Sequence, residues 1–484
     1  MLFNSFDFAL FLPVVFFLYW FILKKSTRYQ NILIILASYF FYGLWDWRFL
    51  FLIFASTIVD FFVGQQIDKH INNQLKSKIW LYTSVLFNIG LLGFFKYYNF
   101  FIESFIDLAH STGYSIKSTW TLRIILPVVI SFYTFQTMSY SFDIYYRKLK
   151  PSKDFISFTA FVAFFPQLVA GPIERASALL GQITKRKTFS FDQASSGLKL
   201  ILYGFFKKLV IADSLAPIVD DIFLNYGNYS ASTLVLGVCL FSFQVYGDFS
   251  GYTDIAIGTA KLFGIELMSN FKFPNFSRNV AEYWQRWHIS LSTWFRHYIY
   301  IPLGGSKVSK AKSVRNICII FLVSGLWHGA NWTFVFWGAL HALFYIPIFL
   351  TGRNRLYANN VIGENSILPS FKEIILVLWT FSLVTFSRIF FRSPTLNDSF
   401  AYIKRIVNNL SFEKYTHPFG ELMYQYYILV AVFIVYEYII RKDERDPYKF
   451  KSIFTRYTLY LATILGIFLF YDNNINRSFI YFQF

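Results

Sequence analysis

The sequence predicts an all-α integral membrane protein of about 11–13 transmembrane and re-entrant helices. Three observations carry that expectation. Of 484 residues, 55% are hydrophobic, 22% aromatic and only 15% charged, against about 25% charged in a soluble domain. Apolar runs near the ~20 residues that cross a bilayer recur from end to end. The 45 Lys and Arg, set against 27 Asp and Glu, gather in bursts between those runs. Charge this sparse, with a mean hydropathy of +0.43, excludes disorder, collagen, a coiled coil and a soluble multidomain enzyme.

The apolar runs fall at 6–23, 30–46, 47–64, 79–97, 122–145, 155–173, 195–224, 232–263, 316–351, 371–392, 424–440 and 457–472. Transmembrane strands would read as alternation over about 10 residues, so helices account for the runs. The first run opens MLFNSFDFAL, with no basic leader and no small-residue cleavage site, and reads as a retained span. Basic bursts at Lys24–Arg28, Lys69–Lys78, Arg147–Lys153, Lys185–Lys187, Lys307–Arg315 and Arg441–Lys451 are expected in the cytoplasm, which places the N-terminus outside. The bursts flanking 155–173 share a side if that run enters and leaves on one face. Pro166, Gly171 and Pro172 supply the break this needs. The net charge of +18 is thus assigned to topology and anionic lipid, not nucleic acid. Cys239, Cys318 and seven scattered histidines form neither a disulfide framework nor a metal site. With no repeat or linker, residues 1–484 read as a single polytopic domain, its motifs within 126–350 and its C-terminal helices in 371–472.

Ionisable residues inside apolar runs are costly, so each is a functional candidate. Asn316–Gly352 spans 37 residues without Asp, Glu, Lys or Arg. One helix of that length would be about 55 Å long, nearly twice the hydrocarbon core. It must break, and SGLWHGAN, with Gly325 and Gly329, is the natural place. His328 then lies about 20 Å deep from the basic loop. A neutral imidazole between Trp327 and Asn331 suits a general base; a packed, hydrogen-bonded histidine is the competing reading. His341 fits packing or support. In NVAEYWQRWHISLSTWFRHYIYIPLGG (279–305), one helix would align His288, Ser292 and Phe295 or Arg296. Such a helix, rich in Trp and Arg and beside a basic loop, either lies in the membrane interface or walls a cavity, with His288 inward and Arg286 or Arg296 near phosphates; His297 fits the interface. In FQVYGDFSGYTDIAIGTAKLFGIEL (243–267), Asp248 and Asp254 need partners, and Gly247 and Gly251 permit a break. These carboxylates orient a substrate or hold the fold. Gln136 and Asp143 in 126–147 are candidates for the same interior. No GxxxxGK[ST], HExxH, CxxC or GxSxG is present, so chemistry here falls to a histidine base activating an incoming hydroxyl.

These motifs, with LPVVISFYTFQTMSYSFDIYYR, FVAFFPQLVAGPIER and VSGLWHGANWTFVFWGALHAL, run in order over roughly residues 1–350. Together they resemble the membrane-bound O-acyltransferase (MBOAT) superfamily, and within it the bacterial alginate O-acetyltransferase-like branch. His297 departs from the pattern, standing where an acidic residue is expected. The resemblance implies helices around an acyl-transfer tunnel, His328 of the WHG motif as base and His288 of the RWH motif as second signature residue. It implies acetyl-CoA as donor with no bound cofactor, an exported glycan as acceptor, an SGNH-hydrolase-like extracytoplasmic partner and the bacterial inner membrane. His288 or a nearby donor would stabilise the oxyanion, and Trp327, Asn331, Arg286, Arg296, Asp248 and Asp254 would contact substrate. Two alternatives are a D-alanyl transfer protein of teichoic-acid modification and, in another class, a transporter or export channel.

Overall fold

The structure, a computed structural model, describes residues 1–114, 121–122, 124, 129–168, 171–416, 423–471 and 479–480. Among them every regular element is helical, as the composition requires. The chain forms two compact units, one from Met1–Ala194 and Thr259–Leu267, the other from Ser195–Gly258 and Met268–Phe484.

The first unit contains α1 (Phe6–Phe17), α2 (Thr27–Asp46), α3 (Leu50–Lys69), α4 (Gln74–Leu92), α5 (Tyr98–Ser111), α6 (Ile130–Tyr145), α7 (Phe155–Ala163), α8 (Phe165–Leu168) and α9 (Ala176–Ile183). Side-chain caps at Ser5, Ser26, Asn73 and Asp154 start four of them by accepting backbone N–H bonds. The 155–173 run breaks as expected: α7 stops at Phe164 (φ −52°, ψ 103°), just before Pro166. Asp60 of α3 is fully buried, and it accepts from Asn88 Nδ2 of α4 at 2.9 Å and Ser141 Oγ of α6 at 3.2 Å, and from Ser84. Three helices are thus tied by one carboxyl group where lipid offers no alternative partner. Gln136 of α6 donates to Phe161 O at 2.7 Å and to Gln167 at 3.1 Å, so its polarity is spent inside this unit.

The second unit takes most of α10 (Phe191–Phe205) and of α12 (Ala231–Leu262). It also holds α11 (Asp213–Leu224), α13 (Val280–Arg286), α14 (Ile289–Phe295), α15 (Lys310–His328) and α16 (Trp332–Leu350). It ends with α17 (Phe371–Arg392), α18 (Leu396–Asn408), α19 (Tyr424–Ile440) and α20 (Ile453–Phe470). A π turn, Phe206–Ala212, joins α10 to α11 and carries Lys207 and Lys208 inward. The expected break at Gly247 and Gly251 does not occur; α12 is continuous over 32 residues. The glycines serve close approach instead. A Cβ at Gly247 would lie 2.9 Å from Lys207 O, and one at Gly251 2.7 Å from Gly204 O. The 316–351 run does break where its length demands, between α15 and α16.

By length and composition, Thr27–Lys69, Gln74–Ser111, Ala231–Leu262, Trp332–Leu350, Phe371–Arg392 and Ile453–Phe470 can each cross a membrane. The shorter apolar stretches Phe6–Ile22, Phe155–Leu168 and Tyr424–Ile440 add to them. Thr27–Lys69, at 43 residues, is two helices, α2 and α3, with a 3-10 turn at Trp47–Phe49 between them. The chain is a multi-pass, all-helical membrane protein.

Candidate active site

His328 is the last residue of α15. The helix ends because Gly329 is extended (φ −163°, ψ 151°) and Asn331 begins the next one, its Oδ1 accepting from Thr333 N at 3.0 Å. Asn331 Nδ2 donates to Pro394 O at 2.9 Å, which fixes the turn from a second side. At Gly325 any Cβ would meet the carbonyl of Phe334, so α15 and α16 touch backbone to backbone. This close hairpin buries His328 to 3% exposure in an aromatic box. Its ring centre lies 5.0 Å from Trp327, 5.0 Å from Trp337 and 5.4 Å from Phe391.

His288 reaches the same box from another direction. The single helix expected within 279–305 is interrupted, because Trp287 is extended and His288 is left-handed (φ 44°, ψ 54°). Left-handed backbone is strained for a side chain this large, and a neighbouring strand of chain holds it. Asn270 accepts from Ile289 N through its carbonyl at 2.9 Å and from Ser290 Oγ through its side chain at 2.9 Å. The kink turns His288 fully inward, 4.8 Å from the ring of Phe249, 5.4 Å from Trp327 and 6.5 Å from His328. Neither ring nitrogen of His288 has a hydrogen-bond partner among the described residues. Trp327 packs against both buried imidazoles, the three ring centres forming a triangle with sides of 5.0, 5.4 and 6.5 Å.

Other candidates sit elsewhere. Arg286 pairs with Glu282 at 2.9 Å and donates to Asn360 O at 2.8 Å and Lys272 O at 3.2 Å, so its charge is spent on the fold. Asp248 pairs with Lys208 at 2.7 Å and accepts from Ile480 N at 2.7 Å. Asp254 pairs with Lys207 at 2.6 Å. Both carboxylates have the cations that burial demands, and both tie α12 to the π turn. His297 is half-buried, with Nδ1 2.7 Å from Thr293 O.

His341 is fully engaged. Indole N–H groups only donate, so Trp284 Nε1, 3.2 Å from His341 Nδ1, makes that nitrogen an acceptor. Nε2 then carries the proton and donates to Ser387 Oγ at 3.0 Å, which donates to Val384 O at 2.7 Å. The imidazole is neutral, with both nitrogens occupied by hydrogen bonds.

Two cavities lie in the second unit, and the smaller borders His328. One of about 1010 Å³ lies along α13–α16 and is lined by Trp284, Phe295, Phe321 and Tyr345, with Arg296, Lys307 and Arg355 also on its wall. No Asp or Glu lines it among the described residues. The other, of about 20 Å³, is bounded by His328, His341, Tyr283, Trp287, Trp337 and Arg388, among others. Trp284 on the large cavity packs 5.8 Å from Trp337 on the small one. Arg388 was missed in the sequence, although an Arg inside the apolar run 371–392, a turn before the Arg392 that ends it, is the same kind of signal that marked His328. Among the described residues no cluster of His, Cys, Asp and Glu is able to hold a metal ion.

Comparison with known proteins gives a family profile and several relatives. The family profile described as MBOAT, membrane-bound O-acyltransferase family, matches residues 77–393. A probable alginate O-acetylase, AlgI, of Azotobacter vinelandii is 40% identical over 332 residues, covering 69% of this chain and 65% of its own length. A peptidoglycan O-acetyltransferase of Helicobacter pylori is 35% identical over 438 residues, covering 84% of this chain and 80% of its own length. A teichoic acid D-alanyltransferase of Streptococcus thermophilus is 30% identical, but over only 38% of this chain and 48% of its own length. The profile includes both histidines and the large cavity, and the chain belongs to the membrane-bound O-acyltransferase family.

Proposed function

We propose that this protein, acting as one polytopic domain in the bacterial inner membrane, moves an acetyl group from cytoplasmic acetyl-CoA to hydroxyls of an exported glycan. The observation that carries this reading is the buried His288–His328 pair, 6.5 Å apart, in the same unit as a cavity of about 1010 Å³ with three cations on its wall. The relatives named for O-acetylation cover most of the chain, whereas the D-alanyltransferase covers 38% of it, which favours acetyl transfer. A transport role gives the paired histidines no task.

In this reading the large cavity takes the donor. Its apolar walls suit a thioester arm, and Arg296, Lys307 and Arg355 suit the phosphates. Lys307 belongs to the basic burst expected in the cytoplasm, so the donor enters from that side and the N-terminus lies outside. His328 accepts the proton of the incoming hydroxyl as its oxygen attacks the thioester carbon. His288 completes the pair, its ring 5.4 Å from Trp327 and 6.5 Å from His328. Burial excludes water, which would otherwise consume the thioester. The acceptor hydroxyl belongs to the glycan itself or to an SGNH-hydrolase-like partner that passes the acetyl group on.

The test is purified protein with labelled acetyl-CoA, candidate acidic glycans or peptidoglycan, and the partner. His328→Ala is expected to lower transfer about 10²–10⁴-fold while leaving membrane insertion intact. Undiminished glycan acetylation by that variant would falsify the assignment.

A further inference from the structure

Arg388 lies on α17, inside a stretch able to cross the membrane, and is 4% exposed. A guanidinium keeps its charge in a protein, and burying one is costly unless a counter-charge or several acceptors meet it. The other buried cations of this unit obey that rule. Lys207, Lys208 and Arg278 each meet a carboxylate, at 2.6, 2.7 and 3.0 Å. Arg441 donates to the carbonyls of Ile362, Gly363, Tyr438 and Ser366. Arg392, one turn beyond Arg388, pairs with Asp220 at 2.8 Å.

Arg388 has no such partner among the described residues. Its Nη2 donates to Tyr283 Oη at 3.1 Å, and its guanidinium carbon lies 5.3 Å from the centre of the Trp287 ring. Nη1 is buried and has no hydrogen-bond partner among the described residues. Arg388 and His328 border the same cavity of about 20 Å³. That volume accommodates about one water-sized oxygen, too little for a carboxylate or a sugar. His341 also borders it, but both its nitrogens are occupied. A fixed cation with a spare N–H, facing an oxygen-sized space beside the base, is the arrangement that stabilises a single developing negative oxygen.

We infer that Arg388 is a catalytic residue of this site, the donor that holds the oxyanion of the tetrahedral intermediate. The inference rests on the acyl-transfer reading above and adds the group that reading leaves open. As the acceptor O–H gives its proton to His328, the acceptor oxygen bonds to the thioester carbon. The carbonyl π electrons move onto the carbonyl oxygen, which lies against Arg388 Nη1–H. On collapse the C=O bond re-forms, the C–S bond breaks, and the departing thiolate takes the proton from His328. The products are one ester and one thiol. Tyr283 positions Arg388 through its hydroxyl.

The test compares wild type, Arg388→Met, Arg388→Lys and His328→Ala as full-length proteins in lipid nanodiscs. Thiol release from acetyl-CoA gives kcat and KM, and thermal unfolding is followed in parallel. Arg388→Met is expected to lower kcat about 10²–10³-fold with KM for acetyl-CoA within about twofold, and to melt no lower than wild type. Arg388→Lys keeps the charge without the fork and is expected to fall between the two. An unchanged kcat overturns the inference, as does a raised KM at constant kcat, which marks ground-state binding of an acidic substrate. Should Arg388→Met not fold, Arg388→Lys decides by the same split. Activity lost in His328→Ala but retained in Arg388→Met removes only the Arg388 role. Wild type inert towards acetyl-CoA, or His328→Ala as active as wild type, removes the acyl-transfer reading and this one with it.

Discussion

Lys208 holds two carboxylates at once, Asp213 and Asp248, each at 2.7 Å, with its own side chain 1% exposed. Removing one partner of a buried pair leaves an uncompensated charge, typically about 3–5 kcal/mol of destabilisation. Lys208→Met is therefore expected to lower the unfolding temperature sharply in detergent, and adding Asp248→Asn should recover part of the loss. A double variant no better than Lys208→Met would show that the pairing is not what matters. At this scale the sequence was half legible. Asp248 and Asp254 announce that they need cations, since an unpaired carboxylate in an apolar run is untenable. Their partners could not be named, because Lys207 and Lys208 are adjacent and the π turn decides where both point. His341 was likewise ambiguous until Trp284, a donor only, fixed its tautomer.

The elements followed length where length was decisive. A charge-free run of 37 residues is too long for one span, and α15 and α16 part at the SGLWHGAN phrase. Patterning misled at two places. The spacing of His288, Ser292 and Arg296 suits one helix, yet Asn270 traps His288 in a left-handed turn that no local rule foretells. Gly247 and Gly251 read as a hinge, yet they are contact points for the backbone of α10 and its π turn. A glycine's meaning depends on what approaches it. Gly325 makes this testable, because a methyl group there would meet Phe334 O. Gly325→Ala should force α15 and α16 apart, at about 1–3 kcal/mol, and displace His328. Reduced thermal stability together with lowered kcat is expected; wild-type values for both would contradict the backbone contact.

For the whole molecule, the scarcity of charge named the solvent and the basic bursts suggest an orientation. Cysteine substitution at Lys312, in a Cys239→Ser, Cys318→Ser background, tests it. Membrane-impermeant thiol reagents should label that site in inside-out vesicles and not in right-side-out ones; the reverse pattern would invert the proposed donor side.

Composition, run length and motif order were enough to establish a helical membrane protein, its resemblance to the acyltransferases and His328 as the base to test. These are properties of continuous stretches, and a stretch carries its own hydropathy and period wherever it folds. Which charged groups are spent on the fold and which remain for chemistry could not be read that way. Arg286 and Arg388 look alike as letters, but one is closed off by Glu282 within its own helix, whereas the other meets Tyr283, 105 residues distant, and keeps an N–H to spare beside His328. Pairing is a matter of distance in space. In a low-dielectric interior that distance separates a neutralised charge from a working one.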